Sequence, residues 1–169
     1  MKNIIIGQLL GILSTAITFI SYQTNKKQTL LIIQTLATLC TCLSFLFLGA
    51  STGFALNIVC IVRNILFYFL DLRSRLYYPG VIILTLAMIF VGALSWQGYI
   101  SLLMITALAA NTVILSLGNP QLLRKSILVT STLVIIYNIV VFSIGGILSE
   151  SIAIFSSVIG IIRFQNQKQ

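Results

Sequence analysis

IIIGQLLGILSTAITFISYQTNKKQTLLIIQTLATLCTCLSFLFL, residues 4–48, is the stretch that decides the fold. An apolar run over 4–21 meets the polar, doubly basic break TNKKQ at 24–28, and a second apolar run follows over 30–48. The hydrocarbon core of a bilayer takes a helix of about 20 apolar residues, within roughly 17–25. Both runs fit, so the stretch reads as a helical hairpin through a membrane with its lysines at the turn. A cleaved signal peptide is the competing reading of the first run. No small-residue cleavage pattern follows it, and Tyr22 to Lys27 is polar and basic, so the run reads as a permanent helix.

The same alternation continues along the chain. Apolar runs occupy 54–70, 81–94, 100–117, 127–144 and 147–162. The breaks between them read GASTG, DLRSRLYYPG, SWQGY, GNPQLLRK and SIGG. The last rests on Gly145 and Gly146 and carries no charge; without it the count would be six. The expectation is an all-α membrane protein of seven transmembrane helices.

Composition agrees. Hydrophobic residues make up 59% of the 169 and charged residues 7%, where a soluble domain carries about 25% charged. The net charge of +8 could suggest nucleic acid in a soluble protein. Here the basic residues cluster between apolar runs, and no aromatic residue is interleaved with a basic stripe as single-strand binding requires. The partner they imply is the bilayer. Lys26 and Lys27, Arg73 and Arg75, Arg124 and Lys125, and Arg163 and Lys168 follow the first, third, fifth and seventh runs. The other connections have no Lys or Arg. Basic connections stay cytoplasmic, which places the N-terminus outside and the C-terminus in the cytoplasm. Lys2 and Arg63 stand apart from the pattern.

Cys40, Cys42 and Cys60 lie inside apolar runs, where cysteine behaves as a small hydrophobe. There is no histidine, and C-x-C alone lacks the ligands of a metal site. Asp71 and Glu150 are the only acids. Neither a catalytic constellation nor a phosphate-cradling glycine loop is present, so no enzyme, cofactor or metal is expected.

YQTNKKQTLLI, from Tyr22, and PQLLRKSILV, from Pro120, share a glutamine and a basic pair at equal spacing: Gln23 with Gln121, Lys26–Lys27 with Arg124–Lys125. Each is followed by two more apolar runs. The chain therefore divides into a three-helix unit over 1–70, a linker with helix 4 over 71–97, and a second unit with a short tail over 98–169. An odd number of helices in the linker gives the two units the same orientation, the parallel arrangement found in some transporters.

This plan, with Gln23 after helix 1 and Pro120-Gln121 after helix 5, resembles the SWEET and PQ-loop transporter superfamily, although Tyr22 stands where that pattern has proline. The resemblance implies alternating access for a small metabolite. It also implies a substrate contact from an Asn on the third helix of each unit: Asn57 in the first, with Ser156 or Ser157 instead in the second. A closer resemblance lies in ALNIVCIVRN from Ala55, VIIYNIVVFSIGGILSES from Val134, and IIRF at Ile161. These are similar to the YgjV family of bacterial inner-membrane proteins, which implies location and fold more than activity.

The polar residues within the runs are the candidate solute contacts. Asn57 and Asn64 are seven apart with Cys60 between, on one helix face. Arg63 is the sharpest oddity, because a charge in mid-membrane normally faces a cavity or a partner; snorkelling to the interface is the alternative. Asn111, Asn138, Ser156 and Ser157 supply the second unit. Gln23, Pro120 and Gln121 are candidate gate or hinge positions, and Pro120 lacks the backbone N–H of a helix interior. Gly7-x-x-x-Gly11 with Ser14, and Ser156-x-x-x-Gly160, read as stripes for close helix packing, so a homo-oligomer is compatible but not required. No carboxylate reads as lying deep in a helix, which favours passive movement of a neutral or anionic solute. A membrane scaffold without transport is the second expectation.

Overall fold

Among the described residues the backbone leaves the helical state at 49–50, 70, 75–76, 95–99, 117 and 141–143. The computed structural model of the chain describes residues 2–22, 27–70, 75–117 and 120–165. It contains seven helices: α1 Lys2–Tyr22, α2 Lys27–Leu48, α3 Ser51–Phe69, α4 Tyr77–Leu94, α5 Ile100–Ser116, α6 Pro120–Val140 and α7 Ile144–Gln165. No strand occurs among the described residues. Six helices are long and apolar enough to span a bilayer, and α5 is a shorter apolar one. Gly49, with φ 74°, separates α2 from α3, and Gly98, with φ 98°, precedes α5. Both use the left-handed region that glycine enters at little cost.

One break differs from the sequence reading. The chain between α6 and α7 turns at Phe142, which has φ 55°, and not at Gly145 and Gly146. Both glycines lie inside the first turn of α7. They are needed for proximity rather than bending. A Cβ on Gly145 would sit 2.1 Å from the backbone of Gly11, and one on Gly146 would sit 2.4 Å from the Asn138 amide. Helix α6 also begins at Pro120, seven residues before the apolar run, because proline suits a first helical turn and the residues after it continue the helix despite their polarity.

The packing order is a ring. α1 touches α2 and α7, α2 touches α3, α3 touches α5, α5 touches α6, and α6 touches α7. α4 lies outside, against α3 and α5. Neighbours joined by short connections are antiparallel: Gly7 and Gly11 of α1 meet Leu48 and Ser44 of α2. α3 and α5 run parallel, since Thr52 meets Ser101 and Arg63 meets Thr112, each 49 residues on. The two ends of the bundle are thereby defined. The N-terminal end holds the starts of α1, α3, α5 and α7. The other, basic end holds the ends of α1, α3 and α5 and the starts of α2, α4 and α6, with Arg75, Arg124 and Lys125 among the described residues. Large apolar side chains such as Leu9, Leu36, Phe90 and Phe155 are exposed on the outside, as lipid requires. Trp96 and Tyr99 at one end and Tyr78 at the other are exposed too, matching the aromatic belts of membrane interfaces.

Candidate functional site

The ring encloses a cavity of about 750 Å³. Its wall is built at helical spacing. α2 contributes Leu31, Gln34, Thr38, Thr41 and Phe45, and α5 contributes Met104, Leu108, Asn111 and Leu115. These steps of three and four keep one helix face inward. All seven sequence-predicted contacts line it: Asn57, Arg63, Asn64, Asn111, Asn138, Ser156 and Ser157. Of the three gate positions, Gln23 lies outside the described residues, Pro120 opens α6, and Gln121 is half-buried beside it at the basic end.

Arg63 does not run to the basic interface. Its Nη1 donates to Thr112 Oγ1 of α5 at 3.3 Å, and its Nε and Nη2 donate to Asn64 Oδ1 at 3.3 and 3.1 Å. Twelve residues into α3, it sits about 18 Å from the N-terminal end at 1.5 Å per residue. Three of its five N–H donors are held at that level. Asn57 Nδ2 donates to the Gly53 carbonyl one turn earlier, at 2.7 Å.

Sequence reasoning missed Glu150. The apolar run placed the start of helix 7 at 147 and left Glu150 at its rim. The helix starts at Ile144, so Glu150 is about 9 Å along it, lines the cavity, and is within hydrogen-bonding reach of the Ser131 hydroxyl. A carboxylate therefore does lie within a spanning helix. Arg124, read as a topology signal, also lines the cavity and packs on Gly160. The spacing of Gln34, Thr38 and Thr41 was a legible polar stripe on α2.

The wall repeats at a shift of 93 residues, the step that takes the start of α2 to that of α6 (27 to 120) and the start of α3 to that of α7 (51 to 144). Lining residues Thr38 and Ser131, Phe45 and Asn138, Asn57 and Glu150, Arg63 and Ser156, and Asn64 and Ser157 stand in this relation. The match of Gln23 with Gln121 is five residues out of this register. A glutamine and two basic residues can recur at any helix boundary, whereas helix starts and inward faces are fixed by packing. The counterpart of Asn57 is thus Glu150, not Ser156 or Ser157.

At the N-terminal end the cavity is sealed. Tyr137 of α6 is fully buried and its hydroxyl accepts the Gly53 N–H of α3 at 2.8 Å. Phe45 of α2 meets its ring edge-on, with centroids 6.0 Å apart. Gln8 of α1 clasps the α6–α7 turn: its Nε2 donates to the Phe142 carbonyl, and its Oε1 accepts the Ile144 N–H at 3.0 Å. Thr15 donates to the Gly145 carbonyl at 2.8 Å. Several of these bonds satisfy amides at helix starts, which have no partner within the helix and none in lipid. Gln97 accepts the Thr52 N–H at 3.2 Å in the same way.

No curated protein and no solved structure matches the chain. A family model described as bacterial inner membrane protein matches residues 5–168. Seven apolar helices, six of them long enough to span, agree with that description, and the chain belongs to the Imp-YgjV family of bacterial inner membrane proteins.

Proposed function

We propose that this protein is a transporter or facilitator that moves a small polar solute across the inner membrane by alternating access, without enzymatic chemistry. The observation that carries the reading is a cavity inside a ring of helices, lined by polar side chains among apolar ones and sealed at one end by Phe45, Gly53 and Tyr137 and by the Gln8 clasp. The packing order adds support. Exchanging α1, α2 and α3 for α5, α6 and α7 maps every contact of the ring onto another contact of the ring. Two parallel units, 1–70 and 98–169, with helix 4 in the 71–97 linker, can then rock against each other about the solute. The basic end is cytoplasmic by the positive-inside rule, so the N-terminus is outside, the sealed end faces out and the cavity is reached from within. Pro120 and Gln121 open α6 at that inner end, where hinge motion would be absorbed, and Gln23 is proposed as the matching hinge position of the first unit. Asn57, Arg63, Asn64, Asn111, Asn138, Ser156 and Ser157 are the proposed solute contacts. A second copy is not required, because the cavity lies within one chain.

The test is a thermal-shift screen of purified protein against a metabolite library, followed by uptake of each hit into proteoliposomes. A ligand of the folded state raises its apparent stability, and a transported one accumulates inside. A second reading, a membrane scaffold, is favoured by the polar bonds that serve only packing, such as Ser44 to the Gly7 carbonyl at 2.7 Å and Ser14 to Thr41 at 2.6 Å. Vesicles that stay impermeable to every hit would decide for it.

A further inference from the structure

The two halves of the cavity wall share a register but not a charge. Where the first unit has Asn57, the second has Glu150; where the first has Arg63, the second has Ser156. Glu150 is the only acid among the described residues. A carboxylate within a spanning helix is costly and normally marks a functional partner. The guanidinium groups of the wall sit deeper. Arg63 is tied to Thr112 and Asn64, about 9 Å further along the bundle than Glu150 at 1.5 Å per helical residue. Arg124 packs on Gly160, deeper again. Asn138 borders the cavity near the sealed end, but its amide is packed against Gly146 and its Oδ1 is buried rather than open to the cavity, so Glu150 is the acceptor at that level. The cavity therefore holds a carboxylate toward its sealed end and guanidinium groups toward its basic end.

Resting on the solute-carrying reading, we propose that the solute is bipolar: a protonated amine faces Glu150, and a carboxylate or similar anion faces Arg63. A solute with only an anion would meet the Glu150 charge uncompensated, and one with only a cation would meet Arg63. The offset of about 9 Å between the backbone levels of Glu150 and Arg63 favours ω-amino acids over α-amino acids, whose two charges lie closer together.

The experiment uses the full chain with three probes of one length: 6-aminohexanoate, 6-hydroxyhexanoate and 6-aminohexan-1-ol, with glycine as the short control. Binding is read by thermal shift and calorimetry, and transport by uptake into vesicles of phosphatidylethanolamine and phosphatidylglycerol. The expected result is that 6-aminohexanoate binds roughly tenfold or more tightly than the other three, since each lost charge-assisted hydrogen bond is worth about that factor. Glu150→Gln should abolish the preference over 6-hydroxyhexanoate and Glu150→Asp should keep part of it. Arg63→Gln should abolish the preference over 6-aminohexan-1-ol. Equal binding of 6-hydroxyhexanoate and 6-aminohexanoate, a preference for glycine, or no binding of any probe overturns the bipolar solute. Loss of all probes alike in a folded Glu150→Gln variant also overturns it. If 6-aminohexanoate binds with the expected variant pattern but does not enter the vesicles, the bipolar site stands and the transport reading falls.

Discussion

At the scale of single residues, Arg63 and Tyr137 do different work. Arginine stays protonated in proteins, so Arg63 must find acceptors, and it finds buried Thr112 and, on the cavity wall, Asn64. Arg63→Leu is expected to leave the chain inserted and folded and to lower solute binding by tenfold or more; Arg63→Lys should retain part, because the charge remains while the planar fork is lost. Calorimetry on both variants checks this, and unchanged affinity in Arg63→Leu would remove the residue from the site. Tyr137 acts on the seal. Tyr137→Phe leaves the Gly53 N–H without its acceptor in a buried place, a cost of about 1–3 kcal/mol. A fall in melting temperature of several degrees should follow, with a larger fall for Tyr137→Leu, which also loses the edge-on contact with Phe45.

Among the elements, α7 is positioned by its first turn. Ser143 caps it, accepting the Gly146 N–H at 3.3 Å, as serine does at helix starts. Gln8 and Thr15 of α1 bind the same turn. Glycine inside a helix normally costs about 1 kcal/mol relative to alanine, so Gly145→Ala would stabilise an isolated helix. Here the new Cβ would meet the Gly11 backbone at 2.1 Å, and backbone cannot move aside as a side-chain tip can. The sign therefore reverses: Gly145→Ala should destabilise by about 1–3 kcal/mol or more and separate α1 from α7. Gly7→Ala, whose nearest neighbours are 3.1–3.2 Å away, should cost much less. Parallel melting curves of the two variants give the comparison.

For the whole molecule, orientation and movement are the open quantities. Reporter fusions should place the N-terminus outside and the C-terminus in the cytoplasm; both ends in one compartment would contradict an odd number of spans. Movement is tested by locking the sealed end. Cysteines at positions 8 and 144, in a chain with Cys40, Cys42 and Cys60 replaced, should cross-link α1 to α7, because Gln8 already bonds to Ile144. If the outer end must open, oxidation should stop uptake, leave binding from the basic side intact, and be reversed by a reductant. Uptake that persists in the cross-linked form would rule out opening between α1 and α7.

Hydropathy and charge placement determined the membrane, the number of helices and the basic end, because lipid demands apolar runs of a set length and these are written consecutively along the chain. They also picked out Asn57, Arg63, Asn64, Asn111, Asn138, Ser156 and Ser157, since a polar side chain in an apolar run must turn away from lipid. What they could not give is which helix stands beside which. The ring, with α4 outside it, follows from packing between distant segments. That packing moved the final break from the glycines to Phe142 and shifted α7 by three residues, which carried Glu150 from the rim into the cavity. It also fixed the repeat at 93 residues instead of the spacing of two similar motifs. Helix ends are set by which amides find partners in three dimensions, and the Gln8 clasp on Ile144 joins residues 136 apart. Local sequence carries no trace of such a bond, and only the folded chain could place it.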